Sequence, residues 1–233
     1  MDKDGRLFSG YEYFLAHNDG DVTLDGIIAE MDGFISRQGI HYTSEEIKEK
    51  VEEVENKISH LGMTIDKYRL SGEKNEAIYT QERKKLHDEI VETVVIKRIT
   101  PEMKTEQPRV MIVLGGRPGS GKTSGFRGLA YDESFIVLDA DEIKAMLPEY
   151  KGWNAEEVHE ESGDILEKCV QVCKMNRLNV VIETTMGKAD SVLRRIREFH
   201  EDGYKVEAHY MFLPMRAAGR RAMERFLNGG ENG

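Results

Sequence analysis

The stretch GGRPGSGKTS, residues 115–124, satisfies the pattern G-x-x-x-x-G-K-[ST] between Gly116 and Thr123. It follows an apolar run, VMIVL at 110–114, that predicts a β-strand, and it opens a helical stretch, which is the context that the motif requires. The glycines let backbone N–H groups turn toward phosphate oxygens, and the amino terminus of the helix adds a favourable dipole. The sequence therefore predicts a nucleotide-binding P-loop.

The residues of this loop have separable expected roles. Lys122 is expected to bridge the β- and γ-phosphates of ATP and so to take part in catalysis, and the Thr123 hydroxyl to bind Mg²⁺. A glycine-rich turn without a ligand is the alternative, but a lysine followed by a threonine has no packing reason to occur there. The residues expected to contact the nucleotide are Gly116, Pro118, Gly119, Ser120, Gly121, Lys122, Thr123 and Ser124.

Downstream of Pro108, short β-branched runs alternate with helical stretches. This alternation predicts an α/β protein, a P-loop kinase fold in which helices flank a parallel sheet. Ligands bind at the carboxyl ends of the strands in such sheets, so the chemistry should collect there. The predicted strands are RVMIVLGG, SFIVLDAD, LNVVIETT and KVEAHYMFLP.

Acidic residues and hydroxyls follow two of these strands. Asp139 and Asp141 end the second strand, where one carboxylate could help hold a metal ion and the other accept the proton of an attacking hydroxyl. The alternative is that one of them caps the helix that follows, and the spacing favours Asp141 over Asp139 as that cap. Glu183 and Thr185 end the third strand at the same edge.

A helical stretch near the end of the sequence is rich in arginine. These arginines could form a lid that neutralises charge on a transferring phosphoryl group. A solvated basic helix face is the alternative for each of them. They are Arg216, Arg220, Arg221 and Arg225.

The first 75 residues differ from the rest in their pattern of apolar residues. Apolar residues recur at helical spacing over 43–61, and Thr43 followed by Glu46 fits a capping box at the helix start. A second helix is predicted over 80–99. We therefore expect a small all-α region at 1–75 and a kinase domain at 76–233.

Composition narrows the functional classes. The net charge of -10 argues against nonspecific binding to nucleic acid, and no apolar run approaches the roughly 20 residues of a membrane span. The first residues lack the basic region and apolar core of a signal peptide, so we expect a cytoplasmic protein. Cys169 and Cys173, four residues apart, are expected to be buried apolar side chains.

Taken together, GGRPGSGKTS, LDADEIK, NVVIETT and the MERF that follows FLP resemble the zeta toxins of bacterial toxin-antitoxin systems, over residues 110–226. The resemblance implies a kinase that uses ATP and Mg²⁺ to phosphorylate the 3′-hydroxyl of the sugar in UDP-N-acetylglucosamine. It also implies a toxin that acts against cell-wall synthesis. In this resemblance Lys122 matches the P-loop lysine, Thr123 the metal-binding hydroxyl, Asp141 the general base and Arg225 the first lid arginine.

The resemblance also implies an acceptor site. Glu167, sixteen residues before Glu183, matches a glutamate that contacts the sugar, and Thr185 matches a threonine that contacts the substrate. Together with Asp139 and Glu183, these residues are expected to line the acceptor side. Two departures stand out. Residues 186–188 read Met-Gly-Lys where some members have an arginine, and a second lid arginine beyond Arg225 has no counterpart. Compared with the family, the sequence is either truncated at its C-terminus or functions without that arginine.

The segment YTQERKKLHDEIV at 79–91 resembles a helical prefix that precedes the P-loop in longer zeta-like kinases. Zeta toxins are restrained by a small helical antitoxin, and some elongated members carry such a segment in the same chain. The resemblance therefore implies an antitoxin partner, either residues 1–75 in cis or a separate small helical protein.

Two other functions remain open at this point. The P-loop and Asp141 would serve equally well in a kinase of another small hydroxyl substrate, such as a nucleotide or dinucleotide. A non-catalytic reading is a nucleotide-gated interaction module, in which the helix at 43–70 pairs with a partner or with itself. That module would give Asp141 and Glu167 no purpose.

Overall fold

The computed structural model describes residues 22–60, 62–72, 76–104, 109–117, 120–122, 125, 131–187 and 189–229. The expectation of an all-α region at 1–75 was wrong: besides helices it contains the antiparallel pair β1 with β2, and its strand β3 pairs with β4, which lies just beyond residue 75. Helical periodicity does not reveal these strands, because each contains only two or three residues. The elements are α1 (Leu24–Glu30), β1 (Phe34–Ile35), β2 (His41–Tyr42), α2 (Ser44–Ile58), α3 (Thr64–Tyr68), β3 (Arg69–Ser71) and β4 (Ile78–Tyr79).

The capping box at the start of α2 is confirmed. The Thr43 hydroxyl accepts a hydrogen bond from the Glu46 backbone N–H at 3.3 Å, and the Glu46 carboxylate accepts one from the Thr43 N–H at 2.8 Å. The two residues satisfy backbone donors that the first turn of the helix would leave unpaired.

The rest of the chain forms the predicted α/β unit around a parallel sheet in the order β6-β7-β5-β8. All four predicted strands are present. The elements are α4 (Gln81–Val94), β5 (Val110–Gly116), β6 (Phe135–Leu138), α5 (Ala140–Ala145), α6 (His159–Met175), β7 (Asn179–Thr184), α7 (Ala189–Glu201), β8 (Lys205–Met211) and α8 (Met215–Gly229).

Helix α4 ends at Val94, five residues before the predicted end, and a single 3-10 turn (Ile96–Arg98) follows it. Residues 94–96 are the β-branched run Val-Val-Ile, whose side chains lose rotamer freedom in a helix. The prediction of a longer helix was therefore wrong at its carboxyl end.

The main core lies between the sheet and helices α4, α6 and α7. Cys169 and Cys173 are buried in it, as predicted, and burial raises the pKa of the Cys169 thiol to about 12. Burial also raises the pKa of Cys173. Both residues therefore remain protonated and pack as small apolar side chains.

A second apolar cluster joins the N-terminal region to α8. Ile27 and Ile28 of α1 and Ile47 of α2 are buried in it together with Met223 and Leu227 of α8. The carboxyl end of α8 is held by the segment between β1 and β2, where the Asn228 carbonyl accepts from Gln38 Nε2 at 2.7 Å. Residues 22–60 are thus packed along the last described helix of the chain.

A buried polar network ties α4 to α6 and to the segment after α5. Glu161 of α6 accepts hydrogen bonds from Arg83 Nε at 2.5 Å and from His87 Nε2 at 2.6 Å. The same arginine makes a two-bond contact with Glu149, at 2.7 and 3.0 Å. Tyr79 and Arg69 bind Asp164 one turn along α6, so the network also reaches the strand pair β3-β4.

Among the helices of the described ranges, none combines the length and the apolar character that crossing a bilayer requires.

Candidate phosphoryl-transfer site

The P-loop turns at the end of β5, where Gly116 adopts φ +154°. A Cβ atom there would lie 2.6 Å from the Ser120 hydroxyl and 2.9 Å from the carbonyl oxygen of Met211 on β8. Both separations are too short for a side chain, so the backbone can approach its neighbours this closely only with glycine. Gly121 has φ +81°, a left-handed conformation that also favours glycine.

Two described side chains of the loop, Lys122 and Ser120, carry polar groups that bear on ligand binding. Lys122 Nζ donates to the carbonyl oxygens of Gly116 at 3.0 Å and Arg117 at 3.5 Å. The Ser120 hydroxyl is buried and has no hydrogen-bond partner among the described residues. A buried hydroxyl without a partner and an ammonium bound only by carbonyls fit an anionic ligand with several oxygens, such as a polyphosphate.

Asp139 caps helix α5, because its carboxylate accepts from the Asp141 N–H at 2.9 Å. The expectation that spacing favours Asp141 as the cap was wrong: α5 begins at Ala140, directly after the strand, so the first polar residue takes the cap position. Burial raises the pKa of Asp139. The hydrogen bond from the Asp141 N–H and the Lys122 ammonium of the P-loop both lower the pKa of Asp139, whereas the negative charges of Asp141 and Glu142 raise it further.

The Asp141 side chain does not cap the helix, and it is 75% exposed. Its carboxylate accepts from Lys144 Nζ at 2.9 Å, one turn along α5, whereas the Lys144 side chain is only 11% exposed. A buried lysine therefore fixes an exposed carboxylate near the carboxyl end of β6. The charge of Asp141 also contributes to the raised pKa of Tyr150 in the segment that follows.

Strand β7 lies between β6 and β5, so its carboxyl end separates the two aspartates from the P-loop. Glu183 is buried and aligned with Leu114 of β5. Thr185 is exposed, and its hydroxyl accepts from the Gly187 N–H at 3.3 Å. Met186 has φ +53°, and its side chain covers Gly115 so closely that a Cβ atom there would overlap it.

Glu167 is buried rather than an exposed helix acid. Its carboxylate forms an ion pair with both terminal nitrogens of Arg195 on α7, with 2.9 Å between Nη1 and Oε1. Gln171 Nε2 approaches the same oxygen at 3.4 Å. The ion pair joins α6 and α7, the helices that precede and follow β7 in the chain.

The four arginines near the chain end lie on α8, as predicted. Arg225 is exposed, and Arg220 pairs with Glu224 at 3.0 Å within the helix. Arg216 binds Glu30 of α1 at 2.5 Å. The helix that carries Arg225 is therefore tied to the N-terminal region by charge as well as by apolar packing.

Four positions of the predicted site lie outside the described residues: Pro118, Gly119, Thr123 and Ser124. Their expected roles remain predictions from the sequence.

The arrangement of P-loop, D-x-D motif and polar strand ends matches a known family. The family model described as zeta toxin matches residues 93–233. The chain belongs to the zeta toxin family. A curated zeta relative, Toxin PezT of Streptococcus pneumoniae serotype 4 (strain ATCC BAA-334 / TIGR4), is 24% identical over 121 residues, which are 48% of this chain and 48% of that protein. The chain thus spans about half the length of the curated relative that it matches.

Two solved structures are similar in fold. The native AvrRxo1-ORF1:-ORF2 complex aligns with a TM-score of 0.52 and 16% identity, covering 69% of this chain and 58% of that chain. The structure of AvrRxo1-ORF1:-ORF2 with ATP aligns with a TM-score of 0.52 and 17% identity, covering 67% of this chain and 57% of that chain.

Two residues of this zeta-family site were not predicted from the sequence. Lys144 lies three residues after Asp141, a spacing that places both on one face of a helix, so the signal was present in LDADEIK. Arg195 lies 28 residues after its partner Glu167 and on another helix. Sequence periodicity gives no signal for a contact of that kind.

Proposed function

We propose that this chain is an ATP-dependent kinase that phosphorylates the sugar hydroxyl of UDP-N-acetylglucosamine and acts as a toxin against cell-wall synthesis. The observation that carries the proposal is the pair of Lys122 and the buried Ser120 hydroxyl at the end of β5, within electrostatic reach of Asp139 at the end of β6. The nucleotide-sugar acceptor rests on the family resemblance and awaits the assay described below.

ATP fits the residues of the loop that are described, whereas Thr123, the residue assigned to Mg²⁺ from the sequence, lies outside them. The loop offers the Lys122 ammonium and the Ser120 hydroxyl to phosphate oxygens, and the similar structure with ATP belongs to the same fold. Thr123 would bind Mg²⁺, and the bound ion would neutralise charge that develops on the phosphates during transfer. Asp139 is half-buried beside the loop and within electrostatic reach of the Lys122 ammonium, whose charge would offset part of the repulsion between carboxylate and phosphates.

In the proposed reaction, the acceptor hydroxyl oxygen bonds to the γ-phosphorus while the bond from that phosphorus to the bridging oxygen breaks and ADP leaves. Asp141 accepts the proton of the hydroxyl. Its exposure allows the acceptor to reach it, and Lys144 holds its carboxylate in one orientation. Arg225 would stabilise the charge on the transferring group when α8 approaches.

We also propose that the N-terminal region restrains the site in cis, in the manner of an antitoxin. Helix α2 contributes Ile47 to the apolar cluster with α8, the helix that follows β8. At the other end of α2, Lys57 Nζ lies 5.6 Å from the ring centre of Trp153, in the segment that follows α5. β6 and β8 are the two outer strands of the sheet.

The dimensions support this restraint. Fifteen helical residues span about 22 Å. Four strands place their outer members about 14 Å apart. Helix α2 is therefore long enough to reach from one side of the carboxyl edge to the other. A separate small helical protein remains the alternative partner, because the AvrRxo1-ORF1:-ORF2 assembly pairs two proteins.

The acceptor is tested by incubating the chain with ATP and a panel that contains UDP-N-acetylglucosamine, free nucleotides and a dinucleotide, and then weighing the products. The proposal expects UDP-N-acetylglucosamine to gain one phosphoryl group, and Lys122→Ala to abolish the gain. Phosphorylation of a nucleotide or dinucleotide instead would keep the kinase and reject the acceptor. ATP binding without transfer to any member of the panel would favour the interaction module.

A further inference from the structure

The contact between Glu167 and Arg195 is the strongest side-chain feature of the site that the proposed reaction leaves unused. Both side chains are largely buried, with 7% of the glutamate and 16% of the arginine exposed. Two guanidinium nitrogens face two carboxylate oxygens, which is the most directional ion pair that proteins form. Such a pair fixes the orientation of the carboxylate as well as its charge.

The two residues lie on the helices that precede and follow β7, the strand whose carboxyl end holds Glu183 and is followed by Thr185. Arg195 is on α7, the helix that follows the loop containing Thr185 and Met186. Glu167 is on α6, the helix that precedes β7. Met186 packs against the same core as α6 and α7, and it covers Gly115 at the base of the P-loop. The pair therefore links α6 to α7, the helix that follows the loop of Thr185 and Met186.

We propose that Arg195 is a positioning residue for the acceptor: it holds the Glu167 carboxylate in the orientation in which that carboxylate binds an acceptor hydroxyl. This inference rests on the proposed function. Because the pair as a whole is neutral, it suits an uncharged hydroxyl or N–H group of a sugar. It does not suit a phosphate, which a lone arginine would attract and a lone glutamate would repel.

Removing the arginine changes more than one contact. A buried carboxylate without its cation is costly, so Glu167 would turn toward solvent or toward another donor. An acceptor that loses its hydrogen bond to the displaced Glu167 carboxylate should bind about tenfold to a hundredfold more weakly. The arginine acts through the glutamate, so its removal should have no further effect once the glutamate is gone.

The test measures binding of UDP-N-acetylglucosamine and of ATP separately by titration calorimetry, in the full chain. Arg195→Gln should weaken UDP-N-acetylglucosamine binding by about tenfold to a hundredfold and leave ATP binding unchanged. Arg195→Lys, which keeps the charge, should recover part of the loss. In a Glu167→Ala background, Arg195→Gln should add nothing. Arg197→Gln is the matched control, since Arg197 is exposed on the same helix, whereas Arg194 shares its partner Glu198 with Arg195.

Four results would overturn the inference. Equal UDP-N-acetylglucosamine binding by wild type and a folded Arg195→Gln would reject the inference but leave the proposed function standing. Additive losses in the Glu167→Ala, Arg195→Gln double variant would do the same. If Arg195→Gln does not fold, Arg195→Lys takes its place, and unchanged acceptor binding in that variant likewise rejects the positioning role. Wild type that binds ATP but not UDP-N-acetylglucosamine would instead contradict the proposed acceptor, and the inference would fall with it.

Discussion

The Ile27 side chain lies against Gly219, so closely that its Cδ1 atom occupies the space that a Cβ atom on the glycine would need. Ile27 is on α1 and Gly219 on α8, the helix that carries the arginines of the candidate site. The first described helix of the chain therefore packs directly on the last one. This contact explains a glycine within a helix, where glycine otherwise costs stability relative to alanine.

Gly219→Val should destabilise the protein by about 1–3 kcal/mol, because the added methyl groups force Ile27 and α1 away from α8. Gly163→Val is the matched control: Gly163 is also in a long helix, and nothing lies within 4 Å of its Cβ position. Urea unfolding of both variants measures the difference. Equal changes in the free energy of unfolding would show that the Ile27 contact carries no energy.

Ile27→Asp tests the proposed restraint in cis, since a charge in the buried cluster should separate α1 from α8. We expect faster phosphoryl transfer than in wild type at equal folded concentration. Leu24→Asp is the control, because Leu24 is on the same helix but 46% exposed. A folded Ile27→Asp protein with unchanged or slower transfer would mean that the N-terminal region supports the kinase instead of restraining it.

Point substitution is the cleaner form of this test. A chain that starts at residue 76, the proposed domain boundary, would lose β3 (Arg69–Ser71) and leave β4 (Ile78–Tyr79) unpaired. A change in its activity would then combine loss of restraint with loss of structure.

The buried network around Glu161 should make stability depend on pH. Burial lowers the pKa of His87 from 6.5, and Lys168 Nζ lies 2.9 Å from its Nδ1, so the folded protein keeps this ring neutral. Burial alone would raise the pKa of Glu161, but hydrogen bonds from His87, Arg83 and Thr64 outweigh it and lower the value to about 2 from 4.5. Both groups take up protons more readily when the chain is unfolded.

The free energy of unfolding should therefore fall as the pH drops below 6.5, through His87, and fall further between 4.5 and about 2, through Glu161. His87→Gln, whose amide can still donate to Glu161, should flatten the upper part of this profile. His200→Gln, at an exposed position of α7, should leave it unchanged. Urea titrations at several pH values would measure the slopes, and identical upper slopes for His87→Gln and wild type would contradict the assignment.

Lys144→Met keeps the apolar stem of a buried side chain and removes the ammonium that holds Asp141. We expect the rate of transfer to fall by about tenfold or more, with ATP affinity unchanged, because the carboxylate loses its fixed orientation. Lys144→Arg should restore part of the rate. Lys151→Met, at an exposed position, serves as the control. A wild-type rate of transfer in Lys144→Met would show that Lys144 does not orient Asp141 for catalysis.

Local features of this fold were predictable from the sequence, because local physics determines them. The capping box at Thr43 and Glu46 depends on three residues of spacing, and the strands β5, β6 and β7 are short apolar runs rich in β-branched residues. The helix boundaries near Asp139 and Val94 were less predictable, since a shift of a few residues costs little free energy in either direction. The cap therefore fell on Asp139 and not on Asp141.

Contacts between distant segments were not predictable from one sequence. Nothing in the order of residues places Arg195 beside Glu167, or Gly219 beside Ile27, because tertiary packing decides both. The acceptor side of the site depends on such contacts. The phosphate side, in contrast, lies within one short loop and was assigned from its glycines and Lys122.

The central claim is that one part of this site binds ATP and another activates an acceptor hydroxyl. The decisive measurement compares Lys122→Ala with Asp141→Asn, with ATP binding by calorimetry and phosphoryl transfer by product mass in the same samples. The account predicts that Lys122→Ala loses both, whereas Asp141→Asn keeps ATP binding and loses about a hundredfold to ten-thousandfold in transfer rate. Near-normal transfer by Asp141→Asn would contradict it.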